Sequence, residues 1–159
     1  MCTACSSIPS RRPITIITEE QSMIASAVWK KGAIYEGRSE IGHSIIFDTT
    51  KEHADGLSPM EAVLAALCGC TSVDVVSILQ KKREPITGLT VSATAEQAPA
   101  PPRVFTHIQL VYRIAGNVTK KAAEDAVSLS KNKYCSVSLM LEKAVKIDYA
   151  IEYAGEYAG

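Results

Sequence analysis

Five cysteines carry most of the chemistry this sequence could perform: Cys2 and Cys5 near the start, Cys68 and Cys70 on either side of Gly69, and Cys135 between Tyr134 and Ser136. A thiolate is a nucleophile, a metal ligand and a source of two electrons, so each position is a candidate for redox or metal chemistry. The chain opens MCTACSSIPSRRP, which lacks the basic start and unbroken apolar stretch of a secretory signal, so the expected location is cytoplasmic. An odd number of cysteines there argues against a disulfide framework and for free or reactive thiols.

The five positions differ in what surrounds them. Cys70 sits in the run Leu67-Cys68-Gly69-Cys70-Thr71, where it could be a small core residue or a reactive thiol. Two neighbours favour reactivity. Gly69 costs about 1 kcal/mol of helix stability relative to alanine, which suggests close approach by a backbone or ligand. Asp74, one turn on, is polar in an apolar setting and needs a polar partner. Cys135 stands at the start of a predicted helix, where free backbone N–H groups, the helix dipole and nearby Lys131 and Lys133 would favour the thiolate; structural and functional readings balance. Cys68 points to another helix face than Cys70 and reads as core. Cys2 and Cys5 form a C-x-x-C in an N-terminal arm, with no second pair to complete a zinc site, so no metal site is expected. His43, His53 and His107 are scattered, without H-E-x-x-H or a comparable signature, and read as core or surface residues.

The elements that must hold these groups are legible from pattern and punctuation. Residues 1–22 read as a loose arm with a short apolar run at Ile14–Ile17, and 23–159 as a single domain. Alternating segments at Met23–Lys30, Ala33–Tyr35 and His43–Phe47, broken by Gly32, Gly37 and Gly42, predict an antiparallel meander. A polar loop, Thr49–Leu57, leads to the clearest signal: Ser58-Pro59-Met60-Glu61 supplies an N-cap serine, a first-turn proline and a capping-box glutamate. Lys81, Lys82, Arg83 and Pro85 end that helix, which spans roughly Pro59–Lys82. Leu89–Glu96 and Val104–Ala115 predict a hairpin across the Pro-rich QAPAPPR. Thr119 caps a helix ending near Asn132, a second helix runs from Tyr134-Cys135-Ser136 to about Ala144, and a strand follows at Val145–Tyr153. The order βββ-α-ββ-αα-β is α+β rather than a parallel α/β sheet.

Seventeen basic and seventeen acidic side chains, interleaved, give no single-sign field for nucleic acid or an anionic membrane. Ala62–Val73 carries no charge and is apolar on every face, so the long helix is expected to be buried all round. Glu61 and Asp74 shorten the clean run below a membrane span. One 159-residue domain cannot easily surround such a helix, and a homodimer is the expected solution.

Leu57–Leu79 (LSPMEAVLAALCGCTSVDVVSIL), Lys133–Val145 (KYCSVSLMLEKAV), Gly42-His43 and Pro102-Arg103-Val104-Phe105-Thr106 together resemble the OsmC/Ohr family, specifically its "SPME…GGC…DVV" branch, over roughly residues 23–153. The resemblance implies an intertwined homodimer with long central helices wrapped by antiparallel sheets, and sites at the interface. It implies Cys70 and Cys135 as the reactive pair, reducing a small peroxide, organic by the apolar walls. Cys70 would pass through a sulfenic acid to a Cys70–Cys135 disulfide, reopened by an external thiol or dithiol without metal, haem or flavin. The organic-hydroperoxide branches carry a glutamate directly after the helix-starting proline; here stands Met60, and Glu61 belongs to the cap. Arg38 and Arg103 are the candidates for stabilising the thiolate. Two other readings remain: a non-catalytic dimeric module for a small apolar or thiol metabolite, and a structural domain with inert cysteines.

Overall fold

A computed structural model describes residues 22–154; the arm with Ile14–Ile17, Cys2 and Cys5 lies outside the described residues. The chain forms β1 (Ala25–Lys31), β2 (Ile34–Ser39), β3 (Ser44–Asp48), α1 (Pro59–Lys81), β4 (Ile86–Gln97), β5 (Phe105–Gly116), α2 (Lys120–Leu129), a π-turn (Ser130–Tyr134), α3 (Ser136–Leu141) and β6 (Lys146–Ala154). This is the expected order, with the π-turn as an addition.

The first sheet is the antiparallel meander β1-β2-β3. Gly37 pairs with Ala27 on one side and Ile45 on the other, and a side chain there would run into the Phe47 ring. The buried Asp48 carboxylate organises the following loop by accepting the Thr50 and Asp55 amides at 2.8 and 3.1 Å. Then α1 begins as the sequence dictates: the Ser58 hydroxyl accepts the Glu61 amide at 3.2 Å, and the Glu61 carboxylate accepts the Ser58 amide at 2.7 Å. It ends without glycine. Arg83 takes a left-handed φ of 60°, and the Glu84 amide reaches back to the Leu79 carbonyl at 3.0 Å.

The second sheet has the order β4-β5-β6. The β4–β5 hairpin is antiparallel as expected, but β6 runs parallel to β5, which corrects the expectation of purely antiparallel sheets. The reason lies in the connection: a chain that leaves β5, passes through two helices and returns to the same sheet has crossed over, and a crossover delivers a parallel strand.

The core is built by β5 (Ile108, Leu110, Tyr112, Ile114), by α2 through Ala123, Ala126 and Val127, and by one stripe of α1. That stripe is Leu67, Thr71, Val75 and Leu79, four positions apart. The expectation that α1 is buried on all sides is not met within one chain: Ala66, Gly69 and Val73 face outward, Val73 at 71 % exposure. By length and composition alone α1 is also long and apolar enough to cross a membrane, with Glu61 and Asp74 bounding its uncharged run as read from the sequence. The first sheet packs extensively only within itself, joined to the rest by the Phe47–Leu57 bridge and the Asp48 amide on the Leu57 carbonyl at 3.0 Å.

Candidate active site

The long helix and the turn after α2 bring Cys70 and Cys135 into one neighbourhood: Cys70 packs against the core cluster that holds Cys135, near enough to influence its charge. Cys70 is half-buried and Cys135 fully buried. Cys135 is the N-cap of α3, and its sulfur accepts the Ser138 amide at 3.4 Å. The buried Ser138 hydroxyl has no conventional hydrogen-bond partner among the described residues and also lies close enough to favour charge on the sulfur.

The cap nevertheless loses to burial. Desolvation pushes the Cys135 thiol above its ordinary value, and the neighbouring Cys70 sulfur adds to the rise against the Ser138 contacts that oppose it. The helix start, expected to favour the thiolate at Cys135, is thus outweighed by burial. Nor do the lysines help: Lys131 lies over the Tyr149 ring at 5.9 Å from its centroid, and Lys133 over the Tyr134 ring at 5.4 Å.

Asp74 has the polar partner its position called for. Its carboxylate accepts the Ser130 hydroxyl at 3.0 Å. Ser130 continues to Thr71 at 2.8 Å, and Thr71 to the Tyr112 hydroxyl at 2.7 Å. Thr71, Tyr112 and Ser130 have no exposed surface. Burial pushes the Tyr112 phenol up to about 12. Sequence reasoning missed these three. The available signal was Thr71, the one polar member of the buried stripe on α1; nothing marked Ser130, whose role depends on a turn type that pattern does not announce.

The remaining candidates lie elsewhere. Arg38 pairs with Glu36 at 2.8 Å on the first sheet, where Arg38 and Lys30 hold the Glu36 carboxyl at about 2. Arg38 also lines a concavity of about 600 Å³ with His43, Ile45 and Phe47. Arg103 is exposed in the loop between β4 and β5. Met60 and Glu61 line a groove of about 280 Å³ with Leu64 and Phe105, and Glu61 is held by Ser58 and by His53 at 3.0 Å. Gly69 meets nothing of its own chain within 4 Å of where a Cβ would stand, so the backbone or ligand approach expected there is not made within the chain. Cys68, read as core, is half-buried and lines a groove of about 420 Å³ with Leu64, Val91 and Ala93; burial raises its pKa. His107 pairs with Asp148 at 2.9 Å near the surface.

Comparison with known proteins adds three findings. The profile of the family described as OsmC-like protein matches residues 52–150. Protein YhfA of Escherichia coli K12 is 46% identical over 131 residues, covering 82% of this chain and 97% of YhfA. Among solved structures, a hypothetical protein from Aquifex aeolicus VF5 superposes with a TM-score of 0.77 at 28% identity, covering 86% of this chain and 99% of its own. An organic hydroperoxide resistance protein from Elizabethkingia anophelis does so with a TM-score of 0.66 at 16% identity, covering 89% and 100%, a likeness of fold.

Proposed function

Given that this chain belongs to the OsmC-like protein family, whose fold neighbours include hydroperoxide resistance proteins, we propose that it is a thiol-dependent hydroperoxide reductase acting through Cys70 and Cys135. The observation that carries this reading is the proximity of the two thiols, one on α1 and the other at the cap of α3, within one packed cluster.

The Cys70 thiolate attacks the terminal peroxide oxygen; the O–O bond breaks and alcohol or water leaves with a proton, so sulfur is oxidised to sulfenic acid as the peroxide is reduced. Cys135 then attacks that sulfur. An S–S bond forms, the S–O bond breaks, and water departs with the Cys135 proton. An external thiol or dithiol reopens the disulfide by exchange. Burial raises the Cys135 pKa, which disfavours it as the peroxide-attacking thiol and leaves that role to Cys70.

The working unit in this proposal is a homodimer in the cytoplasm. Its support is physical: α1 turns an uncharged face with Ala66, Gly69 and Val73 to the outside, and the first sheet lacks an extensive partner in its own chain. In a dimer that sheet would carry Arg38 to the other copy's α1. Arg103, as an exposed loop charge, is the weaker candidate for stabilising the thiolate.

The test is hydroperoxide consumption with a dithiol reductant. Wild type consumes cumene hydroperoxide and Cys70→Ser does not; equal consumption by both overturns the assignment. One observation favours the second reading, a non-catalytic binding module: burial of Cys135 disfavours the thiolate on which reactivity depends. Mass spectrometry after sub-stoichiometric peroxide separates the two, because rapid, complete Cys70–Cys135 disulfide formation is incompatible with an inert pair.

A further inference from the structure

Ser130 touches both halves of the cysteine pair without touching either sulfur. Its carbonyl accepts the Cys135 amide at 2.8 Å, which closes the π-turn. Its hydroxyl reaches α1 twice, at Thr71 and at Asp74, the positions one and four residues beyond Cys70.

Counting hydrogens fixes the direction of this chain. The Ser130 hydroxyl has one hydrogen and gives it to Asp74, so the bond with Thr71 must be donated by Thr71. Thr71 has then spent its own hydrogen, so Tyr112 donates to Thr71. Three buried hydroxyls thus point in sequence toward one carboxylate, with no freedom to reverse while Asp74 accepts. A π-turn is one residue wider than an α-helical turn and is uncommon without a reason. Here the wide turn puts Cys135 at the cap of α3, and the only side chain of the turn that is buried is Ser130.

We propose that Ser130 is a positioning residue: by tying the π-turn to Thr71 and Asp74 on α1, it sets the Cys135 sulfur against that of Cys70 and governs closure of the disulfide between them. It deepens the peroxidase reading, but closure can be driven by other oxidants. In a glutathione buffer the two protein thiols are oxidised to the disulfide, giving up two electrons and two protons, while glutathione disulfide is reduced to two glutathione thiols. The equilibrium constant of that exchange measures how well the fold presents the two sulfurs to each other.

The experiment equilibrates the full chain in mixtures of reduced and oxidised glutathione, quenches with acid, and quantifies the Cys70–Cys135 disulfide by peptide mapping. Ser130→Ala is expected to lower the closure constant about tenfold, raising the two-electron potential by about 30 mV. Ser130→Thr, which keeps the hydroxyl, is expected to restore most of the wild-type value. Should Ser130→Ala fail to fold, Asp74→Asn and Asp74→Leu replace it: asparagine still accepts the Ser130 hydrogen and should stay near wild type, whereas leucine should match the tenfold loss. A wild-type constant in Ser130→Ala or in Asp74→Leu overturns the proposal, as does a threonine variant as impaired as alanine. A parallel arm replaces glutathione disulfide with cumene hydroperoxide. If wild type closes in glutathione but never with hydroperoxide, the peroxidase reading falls while the positioning role stands; if it closes in neither, both fall.

Discussion

Tyr112 gives its phenolic hydrogen to Thr71 across 2.7 Å at a place where neither hydroxyl reaches solvent. The phenol's pKa is pushed up to about 12 by burial, so the native state keeps a proton that an unfolded chain releases near pH 10. Between pH 10 and about 12 the unfolded state binds fewer protons, so stability contributed by this group is intact below pH 10 and drains away as pH rises to about 12, by on the order of 2 kcal/mol. Urea unfolding at pH 9 and pH 11 should show the slope in wild type and a smaller one in Tyr112→Phe. Equal slopes in the two proteins contradict it.

The same phenylalanine variant has a second consequence, at neutral pH. It leaves Thr71 without its donor in a site that excludes water, and an unsatisfied buried group costs about 1–3 kcal/mol. A loss near 1 kcal/mol is expected for Tyr112→Phe, and a larger one for Thr71→Val, which removes a partner from both Tyr112 and Ser130. Equilibrium unfolding at pH 7 orders the two variants.

At the other end of α1, Ser58 and Glu61 satisfy each other's amides. Ser58→Ala removes one of those bonds and should cost about 1 kcal/mol of stability. Circular dichroism through a urea titration checks it, with little change expected in the closure of Cys70 and Cys135.

If α1 is covered by a second copy, a charge on its outer face should split the assembly. Val73→Glu is expected to move the sedimentation coefficient from that of two chains toward that of one, or to leave the protein insoluble. A wild-type chain that sediments as a monomer at micromolar concentration removes the dimer from the proposal.

Arg38 and Arg103 separate by neighbourhood. In the proposed dimer, where Arg38 would reach the other copy's α1, Arg38→Ala should slow hydroperoxide-driven oxidation of Cys70 on the order of tenfold, since loss of that cation disfavours an anionic nucleophile. Arg103→Ala should leave it within about twofold, as expected of a solvated loop charge. Single-turnover mass spectrometry reads both.

Local chemistry was legible wherever it is local. The cap at Ser58, the hairpin across the proline-rich loop and the cap at Thr119 each depend on residues a few positions apart, and each formed as written, Thr119 accepting the Ala122 amide at 3.4 Å. The polar partner demanded by Asp74 was also legible, though not its identity. What could not be read were outcomes of competition between distant groups. Whether a helix start or desolvation decides the charge on Cys135 depends on how deeply β5 and α2 bury it, and that is a property of the assembled core. Lys131 and Lys133 stand close to Cys135 in sequence, yet the π-turn directs them to aromatic rings. The parallel placement of β6 likewise follows from a crossover that no single segment encodes.

A single sulfur atom in this fold holds two offices. Cys135 Sγ is the acceptor that begins α3, a helix of six residues, and it is also the atom that would enter a bond with Cys70. Drawing that atom into a disulfide weakens it as an acceptor, and so short a helix has little else to stop its first turn from fraying. The Ser138 backbone hydrogen therefore becomes a built-in reporter: its exchange with deuterium should be slow in the reduced protein and faster in the oxidised one, letting the redox state be followed without a label on either cysteine.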